Sequence, residues 1–267
     1  MKKCCYFWES KKYCLILQIV LLSLIFTGCA GDIEKNVVFQ VSTISALMEG
    51  VYDGEIEVGQ LLKEGDFGIG TFEHLDGEMV VLDGKVYQVQ GDGAVIETDE
   101  NIKVPFATVT WFEPDSQIQL KGIENYSVLK DELSRILHSP NMFYAFKVEG
   151  TFEYVQTRSV YPQSKPYPPL VDVTDMQSVF AYHNIEGSLV GFWVPSLAEG
   201  VNMPGFHLHF LSKDLKGGGH LLDCRISEAS AEMDVLTGFH MLLPENDNFT
   251  QVDLGNINQE DVKRAEQ

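Results

Sequence analysis

Apolar and imidazole side chains alternate strictly over Gly205-Phe206-His207-Leu208-His209-Phe210, and that pattern fits an extended strand. In such a strand Phe206, Leu208 and Phe210 face a core, while His207 and His209 share the opposite face. Similar extended runs recur through much of the chain, over Val37–Val41, Gly68–Phe72, Glu78–Leu82, Lys85–Gln90, Ala94–Glu97 and Phe106–Phe112. Asp83-Gly84 between two of them is a tight-hairpin signal. Met142–Lys147 and Phe152–Arg158 read as another hairpin turning at Glu149-Gly150. Further strands are expected over Gly187–Val194 and His220–Ile226.

Helices are few. Thr43 or Ser45 is placed to cap a short helix through Leu47 and Met48, and Ser127 to cap a longer one carrying Val128, Leu129, Leu133, Ile136 and Leu137. Asp175–His183 also reads as helical. Four prolines, Pro162, Pro166, Pro168 and Pro169, crowd a stretch that suits neither a helix nor an inner strand. A lobe boundary is expected there, with a sheet-rich lobe over 30–161 and a second lobe over 162–267. The end of the chain, Asn258–Gln267, reads as a charged tail.

Residues 1–29 stand apart. Lys2, Lys3, Lys11 and Lys12 precede an apolar run from Cys14 to Phe26, which suits an export signal and is short for a membrane-spanning helix. Phe26-Thr27-Gly28-Cys29 resembles a bacterial lipoprotein site, so Cys29 is the expected point of lipidation. The protein is then exported, either extracellular or lipid-anchored at the outer face of the bacterial cytoplasmic membrane. Four of the five cysteines lie in this segment. The body keeps Cys224 alone, so its stability comes from a core and not from an internal disulfide. A net charge of −20 over 267 residues argues against nucleic acid or an anionic membrane surface as a general partner.

His220 follows the His-x-His strand closely, behind Gly217-Gly218-Gly219. A chain folded back at that glycine run brings a third imidazole to the first two. Three neutral imidazoles are the ligand set of a catalytic zinc site that keeps one position open. Solvated histidines on an exposed strand, or a satisfied core pair, are the bland alternatives. A cupin-type site would want Glu at Asp214 and Gly at Val201. A carbonic-anhydrase-type site would need its third histidine much further along.

Arg158, one of four arginines in the body, stands beside the lobe boundary and could receive an anionic substrate that the acidic protein otherwise repels. A surface ion pair is the bland alternative, and on sequence alone the more common outcome for such a residue. Glu78 enters an apolar strand, which is costly unless the carboxylate has a partner or a task, although solvent-facing alternation accounts for it too. Nothing local distinguishes Thr71 or Glu266.

Taken together, Gly68-Ile69-Gly70-Thr71-Phe72-Glu73-His74-Leu75-Asp76-Gly77-Glu78, Thr157-Arg158-Ser159-Val160-Tyr161-Pro162-Gln163 and the histidine segments resemble the acetolactate decarboxylase family from about Val37 to the C-terminus. The resemblance implies an α/β protein of α+β type, with two lobes of mixed β-sheets, few helices and a zinc site between the lobes, often as a homodimer. It implies zinc-dependent decarboxylation of (S)-2-acetolactate to (R)-acetoin and carbon dioxide through an enediolate. By position, His207, His209 and His220 would hold zinc, Arg158, Glu78 and Glu266 would be catalytic, with Glu266 reaching the metal region, and Thr71 would lie in the substrate pocket. An exported zinc-binding lipoprotein without turnover, or a cupin-like metalloenzyme, are the alternatives.

Overall fold

A computed structural model describes residues 35–255 and 258–266. The expected export signal over 1–29 and its Cys29 lie outside the described residues. Three sheets carry most of the chain. The largest runs in the order β14 (Gly238–Leu242), β1 (Val37–Val41), β8 (Phe106–Thr110), β3 (Phe67–Thr71), β4 (Glu78–Leu82), β5 (Lys85–Val89) and β6 (Val95–Glu97). It is mixed: β1 pairs with β14 in parallel and with β8 antiparallel. The second sheet runs β10 (Phe143–Ser159), β11 (Ser178–Val194), β12 (Gly205–Ser212), β13 (Gly218–Leu236) and β9 (Ser116–Ile123). Its long strand β10 also pairs with β13, so β10 to β13 close a ring. A small third sheet joins β2 (Ile56–Glu57) to β7 (Lys103–Val104).

Six helices accompany these strands among the described residues: α1 (Ile44–Met48), α2 (Val58–Leu61), α3 (Tyr126–Ser134), α4 (Leu170–Thr174), α5 (Asp247–Gln251) and α6 (Gln259–Glu266). Thr43 caps α1 by accepting from Ala46 N at 3.1 Å, as its position predicts. Asn125, rather than Ser127, caps α3, accepting from Val128 N at 3.0 Å. The fold is thus mostly β-sheet with few short helices, in mixed sheets.

Two expectations fail for identifiable reasons. Glu149-Gly150 is not a turn. Gly150 lies in the middle of β10, opposite Gly187 on one side and Ala229 on the other. A β-carbon there would meet Glu228 O at 2.3 Å, so the glycine admits a close neighbouring strand. Asp175–His183 is not helical: α4 ends before it, and residues from Ser178 onward run as β11 paired with β10. β9 and β10 belong to the second sheet, and β14 returns the chain to the first.

Packing follows from the alternation. Phe206, Leu208 and Phe210 of β12 enter the cluster inside the ring, with Phe146, Phe152, Ile226 and, from α3, Leu129 and Leu133. Leu211, from the opposite face of β12, packs instead with Phe67, Ile69 and Val80 of the first sheet and with Val190 and Phe192 of β11. The face of β12 that carries His207 and His209 therefore looks toward the first sheet. A third cluster joins Leu47, Leu75, Phe106, Val160 and Leu170 with Val262 and Ala265 of α6, so the last helix is docked by its apolar side.

Gly219 is the residue on which this approach of strands depends. Its φ is +121°, and a β-carbon would meet Arg158 O at 2.3 Å. Gly219→Ala should destabilise the protein by about 1–3 kcal/mol or more, since backbone strain adds to the clash. A denaturant midpoint equal to that of the parent would show that β10 and β13 are not so closely apposed.

Candidate metal centre

Register assembles the site. His209 of β12 lies opposite His220 of β13, and His220 lies opposite Arg158 of β10, so three cross-strand neighbours form one ladder. His207 is two residues from His209 on the same face. From the first sheet, Thr71 of β3 pairs with Glu78 of β4. The C-terminal helix α6 adds Glu266. All seven residues, four of which sequence reasoning singled out only weakly or by resemblance, are buried in one place; His209 is 1% exposed, Arg158 4% and Glu266 7%.

The imidazoles converge on a point. His207 Nε2 stands 3.2 Å from His220 Nδ1 and 3.3 Å from His209 Nε2. Nitrogens that bind one zinc tetrahedrally at about 2.0–2.1 Å stand roughly 3.3–3.4 Å apart, so the spacing fits a shared ion. The outer nitrogens fix the tautomers. His209 Nδ1–H donates to Met79 O at 2.8 Å and His220 Nε2–H donates to Glu266 O at 3.1 Å. In each neutral ring the inner nitrogen is therefore a bare electron pair, the arrangement by which outer hydrogen bonds orient metal ligands.

Carboxylates crowd the same point. Glu266 Oε2 lies 3.4 Å from His207 Nε2 and 3.9 Å from His220 Nδ1, and Glu78 Oε2 lies 3.6 Å from His209 Nε2. These are not ordinary ion pairs, because burial holds all three imidazoles neutral. His209 is brought down to about 3, and His207 and His220 fall well below their usual range, each with the Arg158 cation as a further cause. The inner nitrogens of His209 and His220 thus present lone pairs toward one another and toward carboxyl oxygens, an arrangement that a divalent cation would satisfy. Within the described residues His207, His209 and His220 form the one group able to hold a metal ion. The donor set fits zinc, with imidazole nitrogens and carboxylate oxygens both suited to it.

Arg158 Nη2 is 3.6 Å from Glu266 Oε2. Its neighbours on β10 anchor it: Thr157 Oγ1 donates to Gly218 O at 2.6 Å and Ser159 Oγ to Val89 O at 2.7 Å. Burial raises Glu78 to about 7, opposed by Arg158 and helped by Glu266, so this carboxyl exchanges a proton near neutral pH. Burial likewise raises Glu266, again against Arg158. Thr71 Oγ1 spends its proton on Gly77 O at 2.7 Å, which leaves its oxygen free to accept. The remaining wall is apolar, formed by Leu47, Leu75, Phe106, Val160 and Leu170. Those five carry no sequence signal, since each reads simply as a core residue.

The turn between Thr71 and Glu78 is unusual. His74, Leu75 and Gly77 all have left-handed backbone, with φ of 66°, 58° and 81°. At the two non-glycine positions such conformations cost on the order of 1–3 kcal/mol each and persist only where surroundings impose them.

A sequence model described as alpha-acetolactate decarboxylase matches residues 38–256. An alpha-acetolactate decarboxylase of Methanosarcina mazei is 47% identical over 238 residues, covering 88% of this chain and 83% of that protein. One from Brevibacillus brevis is 40% identical, covering 89% and 83%. The crystal structure of alpha-acetolactate decarboxylase from Bacillus subtilis strain 168 superposes with a TM-score of 0.84 at 35% identity, over 86% of this chain and 99% of that one.

The geometry makes a direct demand on the ligands. His209→Ala should lower zinc affinity by at least about 100-fold in competition with a chromogenic chelator, because it removes one nitrogen of three. His183→Ala, on the exposed part of β11, should leave affinity unchanged. Equal affinity in the two variants would contradict a shared ion.

Proposed function

This chain belongs to the alpha-acetolactate decarboxylase family, and from that premise we propose that it converts (S)-2-acetolactate to (R)-acetoin and carbon dioxide, with zinc held by His207, His209 and His220. What carries the reading is the meeting of that triad with a buried arginine and a buried carboxyl in one apolar-walled pocket. When bound, the ion supplies Lewis acidity toward the ketone and hydroxyl oxygens of the substrate, worth several kcal/mol of charge stabilisation. No organic cofactor is required, because the ketone beside the departing carboxylate is itself the electron sink.

The residues of the chain supply the rest. Arg158 attracts the anionic substrate into a protein whose net charge is −20 and holds its oxygens by charge-assisted hydrogen bonds. The bond between the carbinol carbon and the carboxylate breaks, carbon dioxide leaves, and its electron pair remains on the organic fragment as an enediolate. Decarboxylation of the anion to neutral acetoin consumes one proton. Glu78, which exchanges a proton near neutral pH, delivers that proton from one face, and fixed delivery makes one hand of acetoin. Thr71 accepts a hydrogen bond from the substrate hydroxyl. Glu266 balances the positive charge of Arg158 and closes the pocket from α6. The apolar wall of Leu47, Leu75, Phe106, Val160 and Leu170 keeps water from competing with Glu78 for the carbanion. We read residues 1–29 as the signal that takes this activity outside the cytoplasmic membrane, with Cys29 as its lipid anchor point.

An acetoin assay on the purified protein tests the proposal. Acetolactate should yield acetoin, chelation should abolish turnover and zinc should restore it. Arg158→Ala should lower kcat/KM by about 10²–10³, the usual cost of losing one charge-stabilising donor. Glu78→Gln should lower kcat by about 10²–10⁴. Zinc binding without acetoin formation would favour a metal-binding protein that does not turn over, and turnover unaffected by chelation would overturn the role of the ion.

A further inference from the structure

Two features that the proposed chemistry leaves unused, His74 in the Thr71–Glu78 turn and the proline-rich stretch, meet on the surface. Tyr167 donates from its hydroxyl to Asp53 Oδ1 at 2.9 Å. Having spent that proton, its oxygen is the acceptor for His74 Nδ1–H. Asp53 is held in turn by Lys165 Nζ at 2.7 Å and by Asn248 Nδ2. The backbone of His74 is gripped as well. Its N–H donates to Tyr52 O at 2.8 Å, and its carbonyl accepts from Gln163 N at 2.7 Å.

This clamp acts on the strained turn. His74 and Leu75 take the left-handed conformation, which non-glycine residues seldom adopt unless held there. The same turn carries Leu75 into the wall of the pocket, presents Gly77 O to the hydroxyl of Thr71, and leads directly into Glu78. We propose that Tyr167, braced by Asp53, is a positioning residue that holds His74 and so fixes Leu75, Thr71 and Glu78 against the reacting centre. This rests on the decarboxylase reading. It assigns to a surface tyrosine a part in proton delivery without contact with substrate, since the turn and not the ring reaches the pocket.

The test is Tyr167→Phe in the full chain, which removes one hydroxyl from a half-buried ring. The clamp acts on the turn and leaves Arg158 and the imidazoles in place. Zinc content and KM for acetolactate should therefore stay within about threefold of the parent, while kcat falls about tenfold and the enantiomeric purity of the acetoin drops. His74→Ala, at an exposed side chain, should give the same signature and carries the test if Tyr167→Phe fails to fold. The double variant should be no worse than either single, because both remove one link. Asp53→Asn, which can still accept from Tyr167, should retain more activity than Asp53→Ala. Unchanged kcat and purity in the folded, zinc-loaded variants, or a double variant equal to the product of the singles, would overturn the clamp. A parent protein that makes no acetoin would overturn the decarboxylase reading itself, and the two failures are told apart by the parent alone.

Discussion

Two backbone carbonyls decide what this site can be. Met79 O takes the outer proton of His209, and Glu266 O takes that of His220, so each ring turns a bare nitrogen inward. Burial forbids the alternative of protonating those nitrogens, because a charged imidazole there would be costly. Lone pairs of His209 and His220, the Nε2 of His207 and carboxyl oxygens of Glu78 and Glu266 then crowd one point, where a cation would satisfy them together. The carbonyls come from distant parts of the sequence, one from the first sheet and the other from the final helix. Orientation of the ligands is thus tied to the packing of the whole domain.

The fold holds that point by register rather than by loops. His209, His220 and Arg158 are neighbours across three strands of a closed ring, where neighbouring chains limit slippage. Apolar side chains on the reverse face of β12 fill the ring, so a shift by one residue would turn Phe206, Leu208 and Phe210 out of it and bury His207 and His209 among apolar side chains. The imidazoles able to hold a metal and the core are therefore specified by the same alternation. Placing ligands on paired strands gives the tight geometry that a metal centre and directed proton delivery require.

Much of this is legible in the residues. The period-two pattern around His207 gives the strand and its two faces, and the Gly217–Gly219 run with His220 gives the return strand. Less legible are features set by tertiary contact. Gly150 looks like a turn signal, yet its lack of a side chain serves a close strand-to-strand approach. Residues 178–183 look helical and become strand because β10 offers them a partner. The charged tail has little pattern to read, although Val262 and Ala265 dock it and bring Glu266 into the pocket. Only the family resemblance points to Glu266, and the apolar wall of the pocket cannot be told from ordinary core. The clamp on His74 joins residues distant in sequence, and nothing local announces it.

Zinc-edge X-ray absorption of the purified, unmodified protein measures the centre most directly. The account predicts one zinc per chain with three imidazole nitrogens at about 2.0–2.1 Å and the remaining scatterers oxygen. A protein that purifies without stoichiometric metal and takes up none, or a spectrum lacking the multiple-scattering signature of three imidazoles, would contradict it.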